Sequence, residues 1–383
     1  MKLLHTLACL ASFSTSLAFA QSNLSEAFER NHALQAKAAA TAVDYNTLDY
    51  GLYWFRDQTE ASKAVGQANS YFDPTRPTVI YIHGWQKGAT QARNRETFVR
   101  SQAQTTTDLT SAWKQAGWNV GLCYWNQFAD EDEVKDAEAK VWVANGPRAM
   151  RWRNASGAYS TGPALSAGTL CANSIANAMR GYRGTHLRLV GHSLGSQMVI
   201  NVAQQLSDAV DRSELPVAVR PARVALLDPA FLKDARSYLN NRWPGEVARG
   251  VVSYLKTRNV IFEAYRSSGA SSNGFIGDDN YGLLKMTAFS ELVSSYYQLW
   301  QFGEKHEMAV WWYFWSFAFT GPTVVRDAGL PPISPFDVMA RAPSAGTEDY
   351  RIRAQMGSTL RFLHEAGRNT RTPQDDSFKL ANK

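Results

Sequence analysis

The chain has 383 residues, 45 % of them hydrophobic and 19 % charged, with a formal net charge of +6. This composition describes a folded globular protein and excludes a disordered one. Lys and Arg are scattered rather than clustered, which removes the electrostatic footprint of nucleic-acid recognition but leaves room for weak attraction to anionic lipid surfaces.

The N-terminal stretch MKLLHTLACLASFSTSLAFAQS combines basic Lys2, an apolar run and the small-x-small triplet Ala18-Phe19-Ala20. This is the pattern of a signal peptide spanning residues 1–20, so the protein is expected to be secreted or periplasmic. The run is too short and too interrupted by Ser and Thr to stay in a bilayer. Cleavage removes Cys9 and leaves Cys123 and Cys171, which either form one disulfide or serve as small buried hydrophobes.

Residues 21–383 show no internal repeat and no linker, and a single domain is expected. After a polar, Ala-rich leader (21–45), the aromatic run 50–57 is β-prone. Thr78–Ile82 is a continuous apolar strand of the kind buried on both faces of a parallel sheet. Residues 106–117 predict a helix ended by Gly117, and 118–125 the next strand. A long polar, Gly-rich region (126–166) precedes a helix over 164–181 and a strand over 186–191. Met198, Val199, Val202, Ala203 and Leu206 form one helical stripe. Strands follow at 222–228 and 258–269. The stretch 267–304 has no place in the core sheet and reads as a lid-like insertion or as a packed helix pair. The run WWYFWSFAF (311–319) reads as core, and the chain beyond about 366 as a polar, frayed tail. Strands alternating with helices predict an α/β fold with a mostly parallel sheet and helices on both faces.

At the centre lies LRLVGHSLGSQMVI (187–200). Its Gly-x-Ser-x-Gly arises by chance in about one chain in eight of this length and decides nothing alone. Its context does. A nucleophile elbow needs a buried strand, a sharp turn and a helix, and Leu187–Val190 and the Met198–Leu206 stripe supply both flanks. Ser193 is therefore the candidate nucleophile. A serine hydroxyl needs a base, and in this arrangement the order is Ser, acid, His. His306 and His364 are the histidines downstream of any acid. His306, in a loop placement before the aromatic helix, is favoured over His364, which sits in the helical-looking STLRFLHEAG. Among acids, Asp208, Asp211 and Asp234 read as solvated charges. Asp228 ends a strand on the rim where α/β sheets bind ligands, and the pattern favours it over the loop pair Asp278 and Asp279. The oxyanion hole draws on the N–H of Leu194 and that of Trp85 in the IHGW loop, with His83 bracing that loop. No cofactor or metal is expected. There is no P-loop, no Gly-x-Gly-x-x-Gly and no zinc spacing, and HEMAV ends in Val310 where a zincin needs its second His.

PTVIYIHGW, NVGLCYW, LRLVGHSLGSQ, VALLDPA and HEMAVWWYF, in that order, resemble the pancreatic lipase family of secreted lipases and phospholipases A1. The resemblance covers about residues 50–320. It implies an α/β-hydrolase fold, a triad of Ser193, Asp228 and His306, oxyanion donors Trp85 and Leu194, and a lipid ester substrate met at a lipid–water interface. It raises Asp228 above the other acids through the Leu-Asp-Pro-Ala match. Residues 126–166 are longer and differently composed than the family's connection, its disulfide framework is missing, and its calcium loop has no match. The expected activity is triacylglycerol lipase. Phospholipase A1 and general carboxylesterase are the alternatives, and a lipid-binding homologue without catalysis is a further one.

Overall fold

The computed structural model describes residues 43–102, 105–269, 281–327 and 329–383. The expected signal peptide (1–20) and the acid candidates Asp278 and Asp279 lie outside them. So does 270–280, part of the lid-like stretch.

The first half of the chain forms β1 (Gly51–Phe55), β2 (Ala61–Lys63), β3 (Thr78–Ile82), the hairpin β4 (Val99–Gln102) and β5 (Thr105–Asp108), α1 (Ser111–Gln115) and β6 (Asn119–Tyr124). Then come α2 (Asn126–Ala129), α3 (Val134–Trp142), the small hairpin β7 (Trp152–Arg153) and β8 (Tyr159–Ser160), α4 (Ala167–Ala178), β9 (Leu187–His192) and α5 (Leu194–Asp211). The second half adds β10 (Arg223–Leu227), α6 (Pro244–Lys256), β11 (Ile261–Arg266), α7 (Tyr281–Leu284), β12 (Ala288–Glu291) and α8 (Phe302–Ser316). It ends with β13 (Thr323–Val325), α9 (Asp349–Met356), β14 (Leu360–Ala366) and β15 (Ser377–Asn382).

Eleven strands join one sheet in the order β13-β15-β14-β12-β11-β10-β9-β3-β6-β1-β2. From β6 across to β14 every neighbouring pair is parallel, and antiparallel pairs occur only towards the margins. The parallel centre follows from composition. β3, β6, β9 and β10 are mostly apolar and buried at every position, with Thr78, Asn119, Arg188, His192 and Arg223 as their polar members, which suits strands covered on both faces. Alternate residues then feed two cores. Ile80, Leu189 and Val224 pack with Ile175 of α4, Val199 of α5 and Val252 of α6. Val79, Val190 and Ala225 pack with Trp113 of α1 and the Trp312–Phe314 run of α8 on the other face. A mostly parallel sheet between helical layers, with a strand–turn–helix at its middle, is an α/β-hydrolase fold.

The chain leaves β3 for β6 on one side and returns to β9 on the other. At such a reversal the outgoing loops splay apart and open a crevice beyond the carboxyl ends of the strands. The loops after β3, β9 and β10 all lie on this rim.

Four regions differ from the sequence reading. Helix 106–117 is only α1, because the β-branched Thr105–Thr107 pair as a strand instead. The stretch 267–304 is not wholly outside the sheet: β12 lies between β11 and β14. The tail beyond 366 ends in β15, antiparallel to β14, with Phe378 fully buried. Residues 360–366, read as helical, form β14. Phe362 and His364 are buried at the strand's period of two, and burial overrides the helical spacing. The segment 126–166 contains α2, α3 and the β7–β8 hairpin, and α6 had no sequence reading at all.

Cys123 of β6 and Cys171 of α4 are joined by a disulfide with Cα atoms 6.5 Å apart. Among the described residues no helix is long and apolar enough to cross a membrane. Trp311, Trp312, Tyr313 and Phe314 are buried, as the core reading of 311–319 required.

Candidate active site

Ser193 sits between β9 and α5 with φ 55° and ψ −124°, a conformation that costs an L-residue energy and is kept by its surroundings. The flanking glycines are steric necessities. A Cβ on Gly191 would lie 2.2 Å from the Gly195 carbonyl oxygen, and one on Gly195 would lie 2.2 Å from that of Ile82. Strand, helix and the loop after β3 therefore meet at backbone contact. Gly84 completes the packing, since a Cβ there would stand 2.8 Å from the Ser193 Cβ. The Ser193 N–H donates to the Leu227 carbonyl at 3.0 Å, which ties the elbow to the end of β10.

One residue further along that strand, Asp228 also has a positive φ, 40°, and its N–H donates to the Tyr265 carbonyl at 2.7 Å. The Asp228 carboxylate is fully buried and completely engaged. Oδ1 accepts the N–H groups of Ser267 (3.1 Å) and Ser268 (3.3 Å), and Oδ2 accepts the Ser268 hydroxyl and meets His306 Nδ1 at 2.6 Å. Burial alone would raise its pKa. The His306, Ser268 and Ser267 bonds outweigh that and hold the carboxyl below the usual range, so it is ionised.

His306 lies within α8 rather than in a loop before it, as the sequence had suggested. The helix starts at Phe302 and delivers the imidazole from its second turn. With Nδ1 held by Asp228, Nε2 is the nitrogen left to exchange protons. Among the described residues Ser193 Oγ makes no hydrogen bond to His306, a link that in such sites often closes only when substrate binds. His306 does pack against the residue that precedes Ser193. His192, adjacent to Ser193, donates from Nε2 to the His306 carbonyl at 3.1 Å, and the two rings lie 4.4 Å apart. Burial, with His306 close by, keeps the His192 pKa well below its ordinary value, so it stays the neutral donor this contact needs.

The other candidates fall as follows. Leu194 is the first residue of α5, and its N–H has no intrahelical acceptor. The Trp85 N–H takes no backbone acceptor among the described residues, and its indole donates to the Glu131 carbonyl at 2.8 Å. His83 is buried and stacked on Trp125, and its Nε2 accepts the Trp125 N–H at 3.2 Å. His364 is remote from this set: it stacks on Phe378, and its Nε2 lies 3.1 Å from Asp376. Asp211 pairs with Arg220 and Arg258 at the surface, Asp208 accepts the Tyr254 hydroxyl, and Asp234 is exposed.

Several supporting residues were not read from the sequence. Ser267 and Ser268 cradle the acid, and His192 holds the His306 backbone. Gln197 donates to the Ala230 carbonyl and to buried Glu138, both at 2.7 Å, joining the elbow helix to the loop after Asp228. None of these carries a local signal, since each acts across a long separation in the chain.

No family model matches the chain, and no curated protein matches it by sequence. Solved structures with some likeness include a thioesterase domain from the curacin biosynthetic pathway, at 14 % identity and a TM-score of 0.21. That match covers 48 % of this chain and 47 % of the other, so the chain spans about half of that domain. A membrane phospholipase A described as a bacterial virulence factor has 14 % identity and a TM-score of 0.27 over 74 % of this chain and 87 % of that one. The esterase rPPE has 12 % identity and a TM-score of 0.22 over 74 % and 76 %. Likeness at this level bears on neither substrate nor catalytic residues.

Proposed function

We propose that the protein is a secreted serine hydrolase that cleaves the carboxylic ester bonds of lipids, triacylglycerol first among them, through an acyl-enzyme on Ser193. The observation that carries the reading is a strained serine at a strand–helix turn, on the same rim as a buried imidazole–carboxylate pair. The lipase-like motifs support the choice of lipid esters.

In this mechanism His306 Nε2 takes the Ser193 proton as Oγ attacks the ester carbonyl. Asp228 holds the ring through Nδ1 and stabilises the imidazolium that forms. The N–H groups of Trp85 and Leu194 receive the oxyanion, and the N-terminal end of α5 favours the developing negative charge. His306 then returns the proton to the leaving alcohol. A water, deprotonated by the same imidazole, releases the fatty acid and restores the serine.

The reading is tested with a fluorophosphonate probe, which reacts only with an activated serine, together with product analysis on emulsified triacylglycerol and on phospholipid vesicles. Labelling of the wild type, none of Ser193→Ala, and faster fatty-acid release from triacylglycerol are expected. Release from phospholipid alone would make the protein a phospholipase A1. An unlabelled wild type that still binds lipid would make it a non-catalytic lipid binder.

A further inference from the structure

We propose that Asp130 is a positioning residue for the oxyanion loop, holding the Trp85 N–H in place through the backbone of residues 84–90. The proposal rests on the ester-hydrolase reading and adds to it a residue outside the triad and outside the loop itself.

The loop after β3 is tied from within by short-range bonds alone, among them His83 Nδ1 to the Gly84 carbonyl at 2.9 Å and the Ala89 N–H to the Gln86 carbonyl at 3.2 Å. It carries Gly84, which must be small to pack on Ser193, and Gly88, which has φ 79° with nothing within 4 Å of a Cβ position. Gly88 is thus required by its backbone conformation rather than by crowding. An oxyanion donor stabilises the transition state only if it is aimed in advance, so this loop needs an external brace.

That brace is the segment 125–131. The Trp125 indole donates to the His83 carbonyl at 2.8 Å, the Gln86 N–H to the Ala129 carbonyl at 3.3 Å, and the Trp85 indole to the Glu131 carbonyl at 2.8 Å. Asp130 adds a carboxylate. Its carboxylate is fully buried, with Oδ1 accepting the Gly88 N–H at 2.7 Å and Oδ2 accepting the Thr90 N–H at 2.9 Å. Each oxygen is committed to a different point of the loop, so an acceptor is needed at both. Burial holds the Asp130 carboxyl above its usual range, and the Thr90 and Gly88 N–H groups, the Thr90 hydroxyl and the charge of Arg153 offset this only in part.

The segment is itself anchored by charge. Glu131, fully buried, receives Lys140 Nζ at 2.6 Å, Arg151 Nε at 2.8 Å and the Tyr159 hydroxyl at 3.0 Å. Arg153 Nε donates to the Asp130 carbonyl at 3.1 Å and reaches Asp132 through Nη2 at 2.7 Å. The polar stretch that departs from the lipase pattern is therefore the platform under the oxyanion loop.

Asp130→Asn is the sharpest probe. It keeps the shape, but it turns an amide NH₂ towards one of the two backbone donors. Wild type, Asp130→Asn, Asp130→Ala and the exposed-surface control Glu133→Gln are compared on p-nitrophenyl butyrate. The same four proteins are tested for affinity towards an alkyl boronic acid. Ser193 Oγ adds to its boron, the serine proton passes to His306, and a boronate oxygen occupies the oxyanion position. Both Asp130 variants are expected to lose roughly 10- to 100-fold in kcat with KM nearly unchanged, less than the 10²–10³ for deleting a donor outright. Boronate affinity should fall by the same factor, and Glu133→Gln should match the wild type. A folded Asp130→Asn with wild-type kcat overturns the proposal, as does a loss of kcat without loss of boronate affinity. Should neither variant fold, amide exchange in the wild type decides: protected Gly88 and Thr90 amides support the clamp, and fast exchange overturns it. A wild type that neither hydrolyses the ester nor takes fluorophosphonate overturns the ester-hydrolase reading itself. An active wild type with an indifferent Asp130 overturns only this inference.

Discussion

The elbow at 187–195 and the segment 126–142 support the same rim of the sheet with opposite materials. The elbow works by absence of side chain: Gly191 and Gly195 let three stretches of backbone touch, and Gly84 lets the loop after β3 pack on Ser193. The segment works by buried charge: Asp130, Glu131, Glu138 and Lys140 are almost completely removed from water and meet their partners across the core. Steric support of the first kind is written in adjacent residues. Support of the second kind exists only when distant groups arrive together, and each unpaired member is then costly.

The largest effect is expected at the proposed nucleophile. Ser193→Ala should reduce ester turnover by at least 10⁴-fold with the fold intact, since loss of the nucleophile removes the covalent route altogether. Comparable turnover in the mutant, measured after removing any wild-type contaminant, would sink the assignment.

The next tests separate sterics from charge. Gly195→Ala forces a Cβ to 2.2 Å from the Ile82 carbonyl oxygen and should cost about 3 kcal/mol or more of unfolding free energy. Lys140→Met leaves Glu131 to Arg151 and the Tyr159 hydroxyl and should cost roughly 1–3 kcal/mol. The two differ in rescue. Adding Glu131→Gln should recover part of the Lys140→Met loss in urea melts and none of the Gly195→Ala loss. Equal recovery in both backgrounds would mean that the ion pair is not the cause.

The disulfide joins the two regions, since β6 leads into the segment and α4 packs against the elbow helix. By chain entropy, with the cysteines 48 positions apart in sequence, removing it through Cys171→Ala should cost about 2–4 kcal/mol. Retention of full stability under reducing conditions would contradict this.

Smallest and most diagnostic is pH, where the two regions titrate in opposite directions. His192 in the elbow has a depressed pKa, so the unfolded chain binds the extra proton and stability falls as pH drops below about 6.5. Glu138 in the segment has a raised pKa from burial, so the folded state binds the extra proton. Its contribution is present below about pH 4.3 and is lost as pH rises through the folded value. Relative to wild type, the melting temperature of His192→Asn should therefore gain as pH falls below about 6.5, and that of Glu138→Gln as pH rises above about 4.3. Parallel slopes would show that neither group is linked to folding in this way.

The fold was legible where hydrophobic runs were long and punctuated. β3, β6, β9 and β10 lie within two residues of the expected strands, and the α5 stripe marks the helix that carries Ser193. Legibility failed at the far edge of the sheet. There β14 and β15 are only partly buried, and tertiary pairing overrides helical spacing around His364. In the site, Ser193, Asp228 and His306 could be singled out because each stands next to a strand or helix with its own signature. Ser267, Ser268, His192, Gln197 and Asp130 could not, because each is a common residue whose role depends on what faces it.

From residues alone, therefore, the central strands and the glycine-flanked serine could be read, and Asp228 and His306 named as its candidate partners. These depend on backbone sterics and hydrophobic period, which operate between near neighbours. Only the tertiary structure decided that Asp228 is ionised in a fully closed cradle and that His306 is presented from inside a helix. It also placed a polar stretch of no visible pattern under the loop after β3. Burial and electrostatics set these outcomes, and both depend on residues that the chain brings together only on folding.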